Sequence, residues 1–327
     1  MRAWRVHELG APESALCLDD IDAPTPGPGQ VAIAVRAASL NFPDVLMCLG
    51  QYQLKPELPF SPGAEVAGVV EAIGDGVTRV AVGDRVLAIP VVGFGGFAEH
   101  TVAHESTVHA IPDAMSFDFA AALHVTYQTG YLALHRRAQL QSGETLLVHA
   151  GAGGVGSAAI QLGKAAGARV IATAGGAAKR DLCLELGADH AIDYQSEDFV
   201  AEVKEYTSGR GADVIFDPVG GDVFDRSRKC IAFEGRLLVI GFTSGRIPEA
   251  PANHVLIKNY SVVGVHWGLY LEKAPSVVPE VHAELVRLFE AGRIRPYVTE
   301  RIDFEAIPAA LTRLAGRGTT GKVVAQL

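Results

Sequence analysis

The sequence predicts an α/β protein: a doubly wound parallel sheet with helices on both faces, together with a smaller, mostly β domain. Three observations predict it. Residues 145–176 read TLLVHAGAGGVGSAAIQLGKAAGARVIATAGG, a strand, a glycine turn, a small-residue helix and a second strand in succession. From about Ser116 onward, apolar runs of strand length alternate with helix-period segments, the pattern of parallel strands joined by helical crossovers. Before Ser116 the chain instead holds short β-branched runs separated by Gly and Pro, the pattern of an antiparallel, partly barrel-like domain.

In order, the first part offers strands at residues 3–7, 30–38, 65–73, 85–89 and 96–103. Turn signals divide them: the Pro24 to Gly29 run, Gly74-Asp75-Gly76 and Gly83-Asp84. A helix at 116–138 leads into a strand at Thr145. Further strands fall at 169–172, 190–193, 214–217, 236–241 and 261–266, with helices at 155–166, 178–186, 198–206 and 223–231. After Trp267 come helices at 277–291 and 305–315 and a last strand at 321–326. This tail is too short to fold alone and is expected to pack on the first part.

The glycine turn has the spacing G-x-G-x-x-G at Gly151, Gly153 and Gly156, between strand and helix. A dinucleotide asks for glycines there: one for the tight turn, one to let backbone approach a pyrophosphate, one for close helix–strand packing. The open N–H groups of Gly154, Val155 and Gly156 at the helix start then face the phosphate charge. A glycine-rich turn can also be a plain connector, and the flanking strand and helix favour the dinucleotide.

Composition narrows the classes. Of 327 residues 49% are apolar and 20% charged, as in a globular protein, and no apolar run is long enough to cross a membrane. The start, MRAWRVHELG, brings charge too early for a signal peptide, so a cytoplasmic location is expected. A net charge of −9 opposes nucleic acid and anionic membrane as partners. Cys17, Cys48, Cys183 and Cys230 are far apart with no C-x-x-C pair, which argues against a disulfide framework and a four-cysteine zinc site. His100 and His104 fall on one strand, about 13 Å apart, too far to share a metal.

Cofactor choice is read past the second sheet strand. NAD binders place an acid about 20 residues beyond the loop for the ribose 2′-hydroxyl. Here the region is Thr173-Ala174-Gly175-Gly176. An acid would repel a 2′-phosphate by roughly 4 kcal/mol at about 4 Å. Its absence favours NADPH, with Lys179 on the next helix and Tyr194 past the third strand as phosphate partners and Arg180 as an alternative.

The chain resembles the medium-chain dehydrogenase/reductase superfamily, in its zinc-free quinone oxidoreductase branch. The resemblance rests on Asn41-Phe42-Pro43-Asp44, on the runs 62–68, 82–86 and 95–99, on Gly151 to Gly156 and on Asp217-Pro218-Val219-Gly220-Gly221. It implies a GroES-like catalytic domain from residues 1–118 and 268–327 around a Rossmann domain at 119–267. It also implies a homodimer through the sheet edge near 261–266. Zinc relatives carry ligands where this chain has Asn41, Ala64 and Val125, so the resemblance implies no metal and no alcohol oxidation.

By the same resemblance Asn41 faces the nicotinamide and its amide hydrogen-bonds the substrate carbonyl, Tyr52 lies at the substrate cleft, and Thr129 lies close to the nicotinamide. Gly241, Phe242 and Thr243, with Trp267, meet the nicotinamide amide. Asp44 and Glu65 persist from the zinc pattern as structural groups. The function expected is NADPH-dependent hydride transfer to a quinone. An enoyl thioester or enone acceptor is the alternative, and a non-catalytic NADPH-binding protein a third.

Overall fold

The computed structural model describes all residues 1–327. The chain divides into two compact units, Met1–Val125 with Pro296–Leu327, and Thr126–Arg295. The first unit begins with β1 (Arg2–Val6), a one-turn helix α1 (Pro12–Ala15) and β2 (Leu16–Asp20), the two strands pairing antiparallel. There follow β3 (Gln30–Ser39), α2 (Phe42–Cys48), β4 (Val66–Ile73), β5 (Arg85–Ala88), β6 (His100–His104), β7 (Val108–Ala110) and α3 (Phe117–Tyr131), whose residues from Thr126 onward belong to the second unit. The helix widens over Leu132–Arg137 into π geometry, with Ala138 N bonded to Ala133 O at 2.9 Å.

The second unit alternates strand and helix: β8 (Thr145–Val148), α4 (Gly154–Ala165), β9 (Arg169–Ala174), α5 (Ala177–Glu185), β10 (His190–Asp193), α6 (Phe199–Tyr206), β11 (Ala212–Asp217), α7 (Gly221–Ser227), β12 (Ile231–Val239), α8 (Ala252–Lys258), β13 (Ser261–Gly264), α9 (Gly268–Lys273) and α10 (Val277–Glu290). All six strands are parallel, in the order β10-β9-β8-β11-β12-β13. Strand order therefore reverses between β8 and β11, the place where doubly wound sheets take a ligand at the carboxyl ends of their strands. Every residue of β8 and β11 is buried, as expected of central strands covered on both faces.

The chain then returns to the first unit with β14 (Val298–Asp303), α11 (Ile307–Ala315) and β15 (Lys322–Gln326). β15 pairs antiparallel with β3 and parallel with β14, and the sheet runs β14-β15-β3-β4-β5-β7 with β6 on β3. Val31, Ile33, Val35, Phe60, Val66 and Ile307 build its core.

The boundaries read from sequence, 118/119 and 267/268, give way to 125/126 and 295/296. Helix α10 belongs with the second unit. Gln128 Nε2 donates to Val278 O at 3.1 Å, and the turn after α10 is held by Gln161 Oε1, which accepts from Arg295 N at 2.7 Å. Beyond these, α1, α2, α8, α9, β2, β7 and β14 add elements that the sequence pattern left as connections.

Candidate active site

In the second unit the glycine loop has the form its sequence asks for. A Cβ on Gly156 would lie 2.1 Å from Ala150 O and 2.8 Å from Gly151 Cα, and one on Gly151 would meet Cys183 Sγ at 2.8 Å. Both glycines are fixed by close packing. Gly153 differs: its Cβ would meet only Ala150 O, at 3.3 Å, and its φ of −85° suits any residue. The first α4 bond runs from Ser157 N to Gly153 O at 2.8 Å, so the N–H groups of Gly154, Val155 and Gly156 have no acceptor within the helix. A glycine surface without side chains and three aligned donors fit a pyrophosphate.

The loop is braced from beneath. Thr173 O accepts from Gly151 N at 2.9 Å. The Thr173 hydroxyl is buried and bonded to His149 Nδ1 at 2.9 Å, while His149 Nε2 meets Ser227 Oγ at 2.8 Å. Thr173 is thus a support for the loop, and its side chain is spent inside the protein. His149 ties β8, β9 and α7, and burial pushes its pKa down to about 3, so it stays a neutral imidazole.

At the ends of β9 and β10, the Tyr194 hydroxyl lies against Gly175, where a Cβ would come within 2.6 Å of it. Tyr194 is 49% exposed and Lys179 partly exposed on α5. Arg180 bonds Asp181 at 2.7 and 2.9 Å, which commits its guanidinium. The sequence pattern missed Asp193. In the parallel register Asp193 stands opposite Ala174, so a carboxylate does reach the end of β9, from the neighbouring strand. Its Oδ1 accepts from Gly176 N at 2.8 Å and Gln195 N at 3.1 Å, and these bonds hold the carboxyl below its ordinary range.

Gly241, Phe242 and Thr243 follow β12, and backbone bonds from Ile240, Thr243 and Ser244 to Asp217, Pro218 and Val219 zip this loop to the one after β11. Asp217 Oδ1 caps that turn by accepting from Val219 and Gly220 N–H at 2.8 and 3.0 Å. Trp267 follows β13 and leads α9. Gly241, Phe242 and Thr243 lie past the carboxyl end of β12, and Trp267 past that of β13. Thr129 is buried on α3 within the same unit.

Asn41 and Tyr52 belong to the first unit, and Asn41 sits in a cluster the sequence did not reveal. Asn41 Oδ1 accepts from Lys322 Nζ at 2.6 Å, and its Nδ2 donates to Glu65 Oε1 at 2.9 Å and Ser39 O at 3.2 Å. Both amide hydrogens are therefore used, which departs from the expectation that this amide donates to a substrate carbonyl. Glu65 pairs with Lys322 at 3.0 Å and accepts from Val125 N at 2.7 Å. Asp44 accepts from Asn41, Gly63 and Ala64 N–H at 2.8, 3.1 and 3.0 Å. Its complete burial pushes that carboxyl up to about 7 against those donors.

Asp44 and Glu65 thus hold together the three positions 41, 64 and 125. The side chains there are an engaged amide, a methyl and an isopropyl group, with a buried ammonium beside them. This is not a zinc donor set, and no group of three His, Cys, Asp or Glu side chains gathers anywhere in the chain. Cys48 is buried, and burial pushes its thiol up to about 12. His100 bonds Glu71 at 2.7 Å. Tyr52 is half-buried, and burial, then the nearby Asp44, raises its phenol above the ordinary value.

Two family models match the chain: an alcohol dehydrogenase GroES-like domain over residues 27–113 and a zinc-binding dehydrogenase over residues 154–287. Across 99% of its length the chain is 41% identical to a quinone oxidoreductase-like protein 2 homolog of Nematostella vectensis, 88% of which is covered. The chain belongs to the medium-chain dehydrogenase/reductase superfamily, in its quinone oxidoreductase branch. Human quinone oxidoreductase is 32% identical over 99% of this chain and 97% of its own. The Escherichia coli quinone oxidoreductase complexed with NADPH superposes with a TM-score of 0.93 at 29% identity, covering all of both chains. The matched zinc-binding description sits beside a set of residues here that does not make a zinc site.

Proposed function

We propose that this protein is an NADPH-dependent oxidoreductase that delivers hydride to a quinone without a metal. The observation that carries the proposal is the glycine loop, whose close-packed Gly151 and Gly156, open Gly153 and three free helix-start donors fit a dinucleotide pyrophosphate. Two solved relatives, from Escherichia coli and a mycobacterium, are complexed with NADPH. The bound cofactor supplies the hydride, and the protein supplies binding, orientation and electrostatics.

The donors of Gly154, Val155 and Gly156 hold the pyrophosphate. Lys179 and the Tyr194 hydroxyl beside Gly175 take the 2′-phosphate, while one carboxylate oxygen of Asp193 is committed to the backbone N–H groups of Gly176 and Gln195. Gly241, Phe242, Thr243 and Trp267 hold the nicotinamide end, with Thr129 near it. Tyr52, like any phenol, keeps its proton at neutral pH, burial raising it further, and so remains a donor to an acceptor oxygen. With an amide, a methyl and an isopropyl group at 41, 64 and 125, no Lewis acid is available to polarise an alcohol, which favours an electron-poor acceptor such as a quinone. The outer edge of β13 has no strand partner, and the neighbouring α8 exposes Leu256 and Ile257. A second copy fits this edge, giving a homodimer in the cytoplasm.

The test is steady-state NADPH oxidation against quinones, small enones and enoyl thioesters, with NADH alongside. Quinones are expected to give the highest kcat/KM and NADPH to exceed NADH. Faster turnover of an enone or a thioester would move the activity to that class, and no oxidation with any acceptor would leave a cofactor-binding protein.

A further inference from the structure

Lys322 is the one lysine or arginine buried in the core of the first unit, 3% exposed at the start of β15. Its ammonium has three hydrogens and three acceptors: Leu40 O at 3.0 Å, Asn41 Oδ1 at 2.6 Å and Glu65 Oε1 at 3.0 Å. A lysine only donates and a carboxylate only accepts. Placed on either side of the Asn41 amide, they permit one orientation: oxygen towards Lys322, nitrogen towards Glu65 and Ser39.

We propose that Lys322 is a positioning residue for the reaction. Through Asn41 and Glu65 it fixes the orientation of the amide at the position where zinc relatives carry a metal ligand, and it supplies the fixed cation of that site. Asn41 then shapes the acceptor wall without donating to the acceptor, and the donor is left to Tyr52. The inference rests on the oxidoreductase reading for its kinetic consequence but not for its geometry.

Two measurements separate them. The chain has three asparagines, Asn41, Asn253 and Asn259, and the last two are exposed. In protein labelled with 15N-asparagine, the Asn41 side-chain amide is expected to exchange with solvent at least about tenfold more slowly than the other two. Removing Lys322 alone would leave Glu65 uncompensated in the core, so the variant is the neutral pair Glu65→Gln/Lys322→Met. That pair is expected to abolish the Asn41 protection.

The pair is also expected to raise the KM for 1,2-naphthoquinone about tenfold, with kcat and the NADPH Kd within about twofold of the parent. Combined with Asn41→Ala it should lower kcat/KM little further, because both changes act through one side chain. Fast Asn41 exchange in the parent protein, or protection that survives the pair, would overturn the proposal. So would an unchanged quinone KM, or losses that multiply. If the parent oxidises no NADPH with any acceptor, the oxidoreductase reading fails while the exchange arm still decides the role of Lys322.

Discussion

Gly153 and Gly156 look alike in sequence and should fail in different ways when given a methyl group. At Gly153 the φ of −85° is ordinary and the nearest atom is 3.3 Å away, so Gly153→Ala is expected to cost folding less than about 1 kcal/mol. The new methyl instead stands where a pyrophosphate must approach, and a loss of about 2 kcal/mol there raises the NADPH Kd roughly thirtyfold. At Gly156 the methyl would sit 2.1 Å from Ala150 O and 2.8 Å from Ala150 C and Gly151 Cα of the same peptide. The helix has to move, and overpacking against backbone is expected to cost about 3 kcal/mol or more, a fall in Tm on the order of 10 °C. Thermal denaturation without ligand, paired with fluorescence titration of NADPH, reads both quantities. A Gly153→Ala protein that binds NADPH with the parent Kd would refute the assignment of the loop to the pyrophosphate. A Gly156→Ala protein with unchanged Tm would refute the packing argument.

Further outcomes follow from the same geometry. Lys179→Ala should raise the KM for NADPH far more than that for NADH, and equal effects on the two would remove Lys179 from the 2′-phosphate site. His149 binds its proton near pH 6.5 when unfolded and only near 3 when folded, so it favours unfolding as pH falls through that window. Between pH 7 and 5 this amounts to about 2 kcal/mol, which urea unfolding should find in the parent and not in His149→Gln; equal slopes would show the imidazole to be solvated. Asp44 acts in the opposite direction. Its carboxyl is held up near 7, so its contribution is present at acid pH and fades as pH rises from about 4 to 7, and Asp44→Asn should remove that fall.

Much of the fold was legible because its signals are local. The strand at residues 190–193 coincides with β10, and the glycine turn sits between β8 and α4 where its spacing put it. What sequence could not show depends on residues far apart in the chain. Lys322 reaches Asn41 across 281 positions, and its local signal is only a lysine beside the apolar run Val323 to Ala325. Asp193 comes beside Ala174 through strand register, which no reading of the 173–176 segment alone contains. Helix α10 has a clear apolar stripe, and a stripe says that a helix packs but not on which unit. α2 escaped notice because it is a seven-residue helix that begins at Phe42-Pro43, where proline suits a first turn as well as a loop.

The central claim is that NADPH reduces a quinone at a site that needs no metal. Chelator-treated protein, free of zinc by elemental analysis, should oxidise NADPH with 1,2-naphthoquinone at the untreated rate. Loss of that activity on treatment, with recovery on adding zinc, would contradict it.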